Sequence, residues 1–286
     1  MAVVTQPDRP AGRGHKLVAT PVKRAAQELG IPILTPERLR AFVDEARALG
    51  SEAFVVASYG KIVPKALLDV VPIAFNVHPS LLPLYRGATP LQSAIRDGRN
   101  ETGVTIIAMD AGMDTGDVLL QERLPIGERE TYGELHDRTA QIGARMVLDA
   151  IGRYGNGSLT RTPQAAMGVP QAEIDATLTR PLRKEDLVID WYQPQQAVAN
   201  LVRSLAPAPL ARTACYDETI KVLEVRLVPK SGTFVFSAPL APMVVGNALM
   251  VCPPKGDNIE IVRLIAPSRG PMTGQAYAQR LWANAT

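Results

Sequence analysis

The sequence predicts an α/β domain built on a doubly wound, mostly parallel sheet, followed by a small β-barrel domain. Three observations predict it. Helix and strand patterns alternate from the first residues to residue 153, the order that winds helices onto both faces of a parallel sheet. Residues 154–180 lose that alternation and are rich in Gly, Ser, Thr, Pro and Gln, a linker composition. From residue 181 onward, short β-branched runs recur at close spacing after one helical stretch, the mark of a small barrel.

The elements follow in order. Ala2–Thr5 reads as a strand. Gln6–Lys16 reads as a loop, because its Pro and Gly residues interrupt regular structure. Arg9, Arg13, His15 and Lys16 make that loop basic against a single Asp8. Gly12-Arg-Gly14 is not a dinucleotide fingerprint, since Leu17 stands where a third Gly belongs. Thr20-Pro21 starts a helix, Thr as N-cap and Pro at the first position, which ends at Gly30. Ile31–Leu34 is a short strand and Glu37–Leu49 an amphipathic helix stopped by Gly50. Ala53–Ala57 is an apolar strand of the doubly covered kind, and Pro64–Val70 a short helix.

Val70–Phe75 is an apolar run that ends in Asn76 and His78. The helix from Leu91 to Asp97 and the strand Gly103–Met109 come next. Val118–Ile126 returns as a strand, and Thr131-Tyr-Gly-Glu134 is a capping box that opens a helix to about Arg153. Beyond residue 181, Gln195–Leu205 is a helix. Ile220–Val228, Thr233–Phe236, Met243–Val251 and Asn258–Ile265 are β-branched runs, and their number and spacing suggest an OB-like barrel.

Composition narrows the function classes. At 286 residues, with 46% hydrophobic and 21% charged positions, the chain has room for two globular domains. No apolar run approaches the roughly 20 residues a membrane span needs, and no secretion signal is visible, so the expected setting is cytoplasmic. Cys215 and Cys252 are too few for a disulfide framework. With three histidines and no Cys-x-x-Cys, no metal site is expected. The net charge of +3 sits in residues 181–286, which carry 11 basic and 8 acidic side chains, whereas residues 1–180 balance at 20 each. That excess is compatible with a polyanionic partner.

The chemistry centres on Asn76-Val-His78-Pro-Ser-Leu-Leu-Pro83. Residues two apart in a strand face the same way, so Asn76 and His78 project side by side from a strand end. That end is where open α/β sheets place ligands. An amide donor beside an imidazole suits the polarisation of a carbonyl and the stabilisation of its oxyanion. A lone Asn-x-His is more often a satisfied polar strand end. Here it is followed by a second polar loop, Asp110-Ala-Gly-Met-Asp114-Thr-Gly-Asp117. This loop does not read as a calcium site, because the EF-hand positions after Asp110 hold Gly112, Thr115 and Gln121 where Asp or Asn, Gly and Glu belong.

In combination and in this order, the two stretches resemble the folate-dependent formyltransferase family. The resemblance continues through Tyr59-Gly60-x-Ile-x-Pro64 and Arg86-Gly87-Ala88, and it covers nearly the whole chain. The loop Gln6-Pro-Asp-Arg-Pro-Ala-Gly-Arg-Gly14, the stretch Ala176–Trp191 and the terminal Pro271–Leu281 narrow it to the branch acting on initiator methionyl-tRNA. The resemblance implies Asn76, His78 and Asp114 as the catalytic set. It implies folate binding along Ser80, Leu81, Leu82 and Pro83, and tRNA contact through Arg13 and Lys16. Arg86 is either a substrate-placing residue or a surface Arg. The co-substrate implied is 10-formyltetrahydrofolate with no metal, and the partner is initiator methionyl-tRNA, bound by a monomer. The domains implied are a catalytic domain at 1–153, a linker at 154–180 and an OB-like tRNA-binding domain at 181–286.

Two departures qualify the resemblance. Family members begin with a further strand, a Gly-Thr-Pro turn and a helix ahead of the first strand seen here. The expectation is therefore a mis-assigned start codon or a clipped chain, with a truncated, inactive tRNA-binding homologue as the alternative. Ala206-Pro-Ala-Pro-Leu-Ala211 also stands where the family has Asn-Pro-Trp-Pro-Gly-Ala. Another formyltransferase of the family, acting on a different amine, is the remaining enzymatic alternative.

Overall fold

The computed structural model describes residues 1–11, 16–230, 240–253 and 256–283. The chain divides into two compact units. One comprises Met1–His78, Val104–Gln121 and Gly143–Ala172; the other comprises Pro79–Gly103, Glu122–Ile142 and Glu173–Thr286.

The first unit opens with β1 (Val3–Val4), followed by β2 (Arg9–Ala11) and β3 (Lys16–Val18). The sequence predicts only a loop at 6–16. Instead β2 and β3 pair antiparallel, Arg9 opposite Val18 and Ala11 opposite Lys16. A two-stranded ribbon tolerates Pro10, because an edge strand need not donate every N–H. Arg13 lies outside the described residues. The helix α1 (Pro21–Glu28) starts as predicted, with the Thr20 hydroxyl accepting from Lys23 N at 3.1 Å. The strand β4 (Ile33–Leu34) pairs parallel with β1.

The predicted helix over 37–49 is split into a 3-10 turn at Leu39–Ala41 and α2 (Val43–Ala48). Both pieces keep one apolar face. Leu39, Phe42 and Ala46 are buried against Leu67 of α3 (Lys65–Leu68). Spacing of three and four residues serves a 3-10 turn and an α-helix alike, so the sequence pattern does not separate them.

The strands β5 (Ala53–Ala57), β6 (Ile73–His78), β7 (Glu101–Ala108) and β8 (Val118–Pro125) form a sheet in that order. β5 and β6 are parallel, and β6 and β7 antiparallel. Together with the β1–β4 pair this is a mixed, Rossmann-like arrangement. One expectation is corrected. Among the described residues β5 pairs along one edge only, and its Val55 is 50% exposed. With Val55 half exposed, the two faces of β5 are not both covered among the described residues. An apolar run shows what a strand can bury, not which neighbours reach it.

The helix α5 (Tyr132–Gly155) begins with the predicted capping box. Thr131 N donates to Glu134 Oε2 at 2.9 Å, and Glu134 N donates to Thr131 Oγ1 at 3.4 Å. In the first unit, Phe75 of β6 is fully buried and meets Tyr154 of α5 edge-on at 6.1 Å. Gly143 of α5 lies so close to β6 that an added Cβ would come within 2.6 Å of Val77 Cγ1. Residues after α5 are ordered into an antiparallel bridge between Thr162 and Val118, a 3-10 turn at Gln164–Met167, and α6 (Gln171–Ala176).

The second unit holds α4 (Pro90–Arg96), a 3-10 turn at Glu185–Leu187 and α7 (Gln195–Leu205). Its antiparallel strands are β9 (Ala211–Cys215), β10 (Glu218–Val228), β11 (Met243–Val245), β12 (Ala248–Val251), β13 (Asn258–Ile265) and β14 (Pro271–Thr273). Among the described residues they run in the order β11-β12-β13-β10-β9, with β14 also on β13. The helix α8 (Gly274–Ala283) closes the unit, and its Tyr277 is fully buried with Ile220, Leu249 and Ile259. The predicted run 243–251 is a hairpin. Val245 faces Ala248 across Gly246-Asn247, with Gly246 at φ 59°, as a two-residue turn requires. The expected strand at 233–236 lies outside the described residues.

Candidate active site

The strand β6 carries Asn76 and His78 at its carboxyl end. Ile73, Ala74 and Phe75 are buried and anchor the strand. Antiparallel pairing sets Asn76 opposite Ile107 and His78 opposite Thr105 of β7. Because the two residues are two apart, their side chains share a face. His78 is 4% exposed.

Asp114 reaches the same place from the loop after β7. Asn76 Nδ2 donates to Asp114 Oδ1 at 3.3 Å. His78 Nδ1 lies 3.7 Å from Asp114 Oδ2, an ion-pair distance when the imidazole is protonated. The carboxylate thus faces both an amide and an imidazole. The structure brings together the three residues of the predicted catalytic set, although 38 positions separate Asn76 from Asp114.

The Asp114 loop is held at several points. Asp114 itself adopts a left-handed conformation, φ 56°, uncommon outside Gly though among side-chain-bearing residues Asp is one that adopts it more readily. The Asp110 carboxylate accepts from Gly112 N at 3.0 Å and from Thr115 Oγ1 at 2.7 Å. Gly116 packs on β7, where a Cβ would lie 1.9 Å from Ala108 O. Ala108 N donates to Asp117 O at 2.9 Å. Gln164, in the stretch whose composition reads as linker, donates from Nε2 to Asp114 O and to Gly116 O, both at 2.8 Å. No sequence pattern singles out Gln164; only the fold brings it to the loop.

Ser80, Leu81, Leu82 and Pro83 follow β6 and belong to the second unit. The Ser80 hydroxyl donates to Leu84 O at 2.7 Å, and Leu82 is buried. In the same unit the Arg86 carbonyl accepts from Thr179 N at 2.8 Å. Lys16 opens β3. Among the described residues no group of three or more His, Cys, Asp or Glu side chains is placed to hold a metal ion. No helix among them is long and apolar enough to cross a membrane.

Comparison with known proteins identifies the family. Residues 1–151 match the formyl transferase family model, and residues 181–281 match the model of the formyl transferase C-terminal domain. The methionyl-tRNA formyltransferase of Citrifermentans bemidjiense is 44% identical over 237 residues, 81% of this chain and 72% of that protein. The methionyl-tRNA formyltransferase of Symbiobacterium thermophilum is 40% identical over 281 residues, 97% of this chain and 83% of that protein. Among solved structures, WlaRD, a sugar 3N-formyl transferase crystallised in the presence of dTDP and 5-N-formyl-THF, shares the fold. Its TM-score is 0.63 at 18% identity, over 94% of this chain and 88% of that one. The sequence motifs, the mixed sheet with its Asn-His-Asp cluster and the two matched domains lead to one assignment: the chain belongs to the formyl transferase family, in its methionyl-tRNA formyltransferase group.

Proposed function

We propose that the chain transfers the formyl group of 10-formyltetrahydrofolate to the α-amine of methionine on initiator tRNA. The observation that carries the reading is the Asn76–Asp114–His78 cluster at the end of β6, with contacts of 3.3 and 3.7 Å. The methionine amine attacks the formyl carbon, and negative charge builds on the formyl oxygen. An amide nitrogen carries two hydrogens. Asp114 engages one on Asn76, and the second serves the oxyanion. His78 stabilises the same charge and passes a proton. Asp114 faces the imidazole and holds the water that relays the amine's proton to the departing folate nitrogen.

Ser80, Leu81, Leu82 and Pro83 are assigned to the folate, through backbone groups, since the Ser80 hydroxyl is turned to Leu84 O. Arg13 and Lys16 are assigned to the tRNA. We take residues 1–153 as the catalytic domain, 154–180 as its connection and 181–286 as the tRNA-binding domain.

The test is formylation of methionine-charged initiator tRNA with 10-formyltetrahydrofolate, run on the chain and on its His78→Ala and Asn76→Ala variants. The expected outcome is turnover by the chain and a loss on the order of 10²–10³ in kcat for Asn76→Ala, typical of removing one oxyanion donor. His78→Ala is expected to abolish turnover. Formylation of a sugar nucleotide amine in place of charged tRNA would transfer the reading to the sugar-directed members of the family. Salt-dependent tRNA binding without folate affinity or turnover would mark a binding protein instead.

A further inference from the structure

We propose that Gln164 is a positioning residue that acts through Asp114, holding its carboxylate against Asn76 and His78. The inference rests on the catalytic reading of Asp114 given above and extends it to a residue that no motif marks.

The geometry is specific. A side-chain amide nitrogen has two hydrogens, and both on Gln164 are used. They reach Asp114 O and Gly116 O, each at 2.8 Å. One side chain therefore clamps the backbone on either side of Thr115. Gln164 is 5% exposed, so its amide is not shared with bulk water. Its own position is fixed from behind. The bridge between Thr162 and Val118 pairs N–H with carbonyl in both directions at 2.9 Å, and Gln164 opens the 3-10 turn that follows.

The clamp lies where the loop needs it. Asp114 has φ 56°, a conformation that is less populated than φ below zero even for Asp, and contacts from its surroundings help to select it. The Asp110 turn fixes Gly112 and Thr115 within the loop. Those bonds are internal to the loop, and the tie to β7, Ala108 N to Asp117 O at 2.9 Å, lies three residues beyond Asp114. Gln164 supplies a tie at the Asp114 backbone, from a segment 50 residues away in the chain. With the clamp in place, the Asp114 carboxylate meets Asn76 at 3.3 Å and His78 at 3.7 Å. A shift of about 1 Å in a positioned catalytic group can cost on the order of 10²-fold in rate.

The test is a double-mutant cycle on the full chain with Gln164→Met, Asp114→Asn and the pair together. Met keeps the length and volume of Gln and removes both donors. Gln164→Glu, which keeps length and polarity but donates nothing when ionised, is made in parallel in case the Met variant does not fold. The expected result is a fall in kcat of about 10-fold or more for Gln164→Met, with KM for both substrates unchanged. The double variant should be no slower than Asp114→Asn alone. The second readout, the His78 imidazole resonances by NMR, needs no turnover. In Gln164→Met they should move towards their positions in Asp114→Asn.

Rate losses that multiply in the double variant, or His78 resonances unchanged by Gln164→Met, would overturn the proposal. If Asp114→Asn shifts the resonances and leaves the rate intact, the catalytic reading of Asp114 fails. The positioning of its carboxylate by Gln164 is then still decided by the resonances.

Discussion

At the scale of single residues, the meeting of Asp114 with Asn76 and His78 depends on side chains outside the three. Asn76 and His78 sit on a rigid strand, and Asp114 sits on a loop in a left-handed conformation. The loop's order comes from Gln164, from Gly116 seated on Ala108 O, and from the Asp110 turn. A hydrogen bond contributes about 1 kcal/mol net to stability. Gln164→Met removes a donor from two carbonyls, Asp114 O and Gly116 O, and an acceptor left unpaired costs about 1–3 kcal/mol, so the variant is expected to lose stability in chemical denaturation as well as rate. Burial pushes the Cys215 thiol up to about 11, and Cys215 is 0% exposed. The reactive thiolate is then scarce at neutral pH. Cys215 and Cys252, both free and buried, should resist alkylation at pH 8 in the native state and react fully in denaturant. Rapid native labelling of Cys215 would contradict the burial.

At the scale of elements, the contact between α5 and β6 is decisive. Gly143 is the point of closest approach, and a Cβ there would meet Val77 Cγ1 at 2.6 Å. Two effects oppose each other in Gly143→Ala. Alanine improves helix propensity by about 1 kcal/mol. Overpacking against a stiff β-branched side chain costs about 1–3 kcal/mol. The clash should win, because Val77 lies in the strand next to Asn76 and His78 and cannot move aside without disturbing them. The expected outcome is net destabilisation of about 1 kcal/mol by urea denaturation and reduced formylation. A more stable and fully active Gly143→Ala variant would show that the strand gives way.

At the scale of the whole molecule, acid sensitivity is predictable from Asp186. Its carboxylate accepts from Arg180 Nη1 at 2.6 Å, Arg180 Nη2 at 2.8 Å and Arg183 N at 2.7 Å. The Arg180 bonds first, and the Arg183 amide second, hold its pKa well below the usual carboxylate range. A depressed folded-state pKa means that the ionised form favours folding. Its contribution is complete above the unfolded value of about 3.9 and is lost as pH falls through the folded one. Asp186→Asn should therefore lower Tm at pH 7, and the gap to the unmodified chain should narrow below about pH 4. Arg180 is half exposed, so added salt should narrow the gap as well. A gap independent of both pH and salt would mean that packing, not charge, accounts for the loss.

Local chemistry determined much by itself. The Thr20-Pro21 cap, the Thr131–Glu134 box, the alternation of strand and helix, and the apolar run that delivers Asn76 and His78 to a strand end were all legible in the sequence. Each depends on residues a few positions apart. The family was legible as well, because its motifs are short and contiguous. What the tertiary structure alone decided depends on pairs distant in the chain. These include the ribbon of β2 and β3, the exposure of Val55 on β5, the meeting of Asp114 with Asn76 and His78, and the reach of Gln164 to the Asp114 loop. Composition made residues 154–180 look like a connection. The fold uses one glutamine there as a clamp, because hydrogen-bond partners are chosen by proximity in space, which residue order does not encode locally.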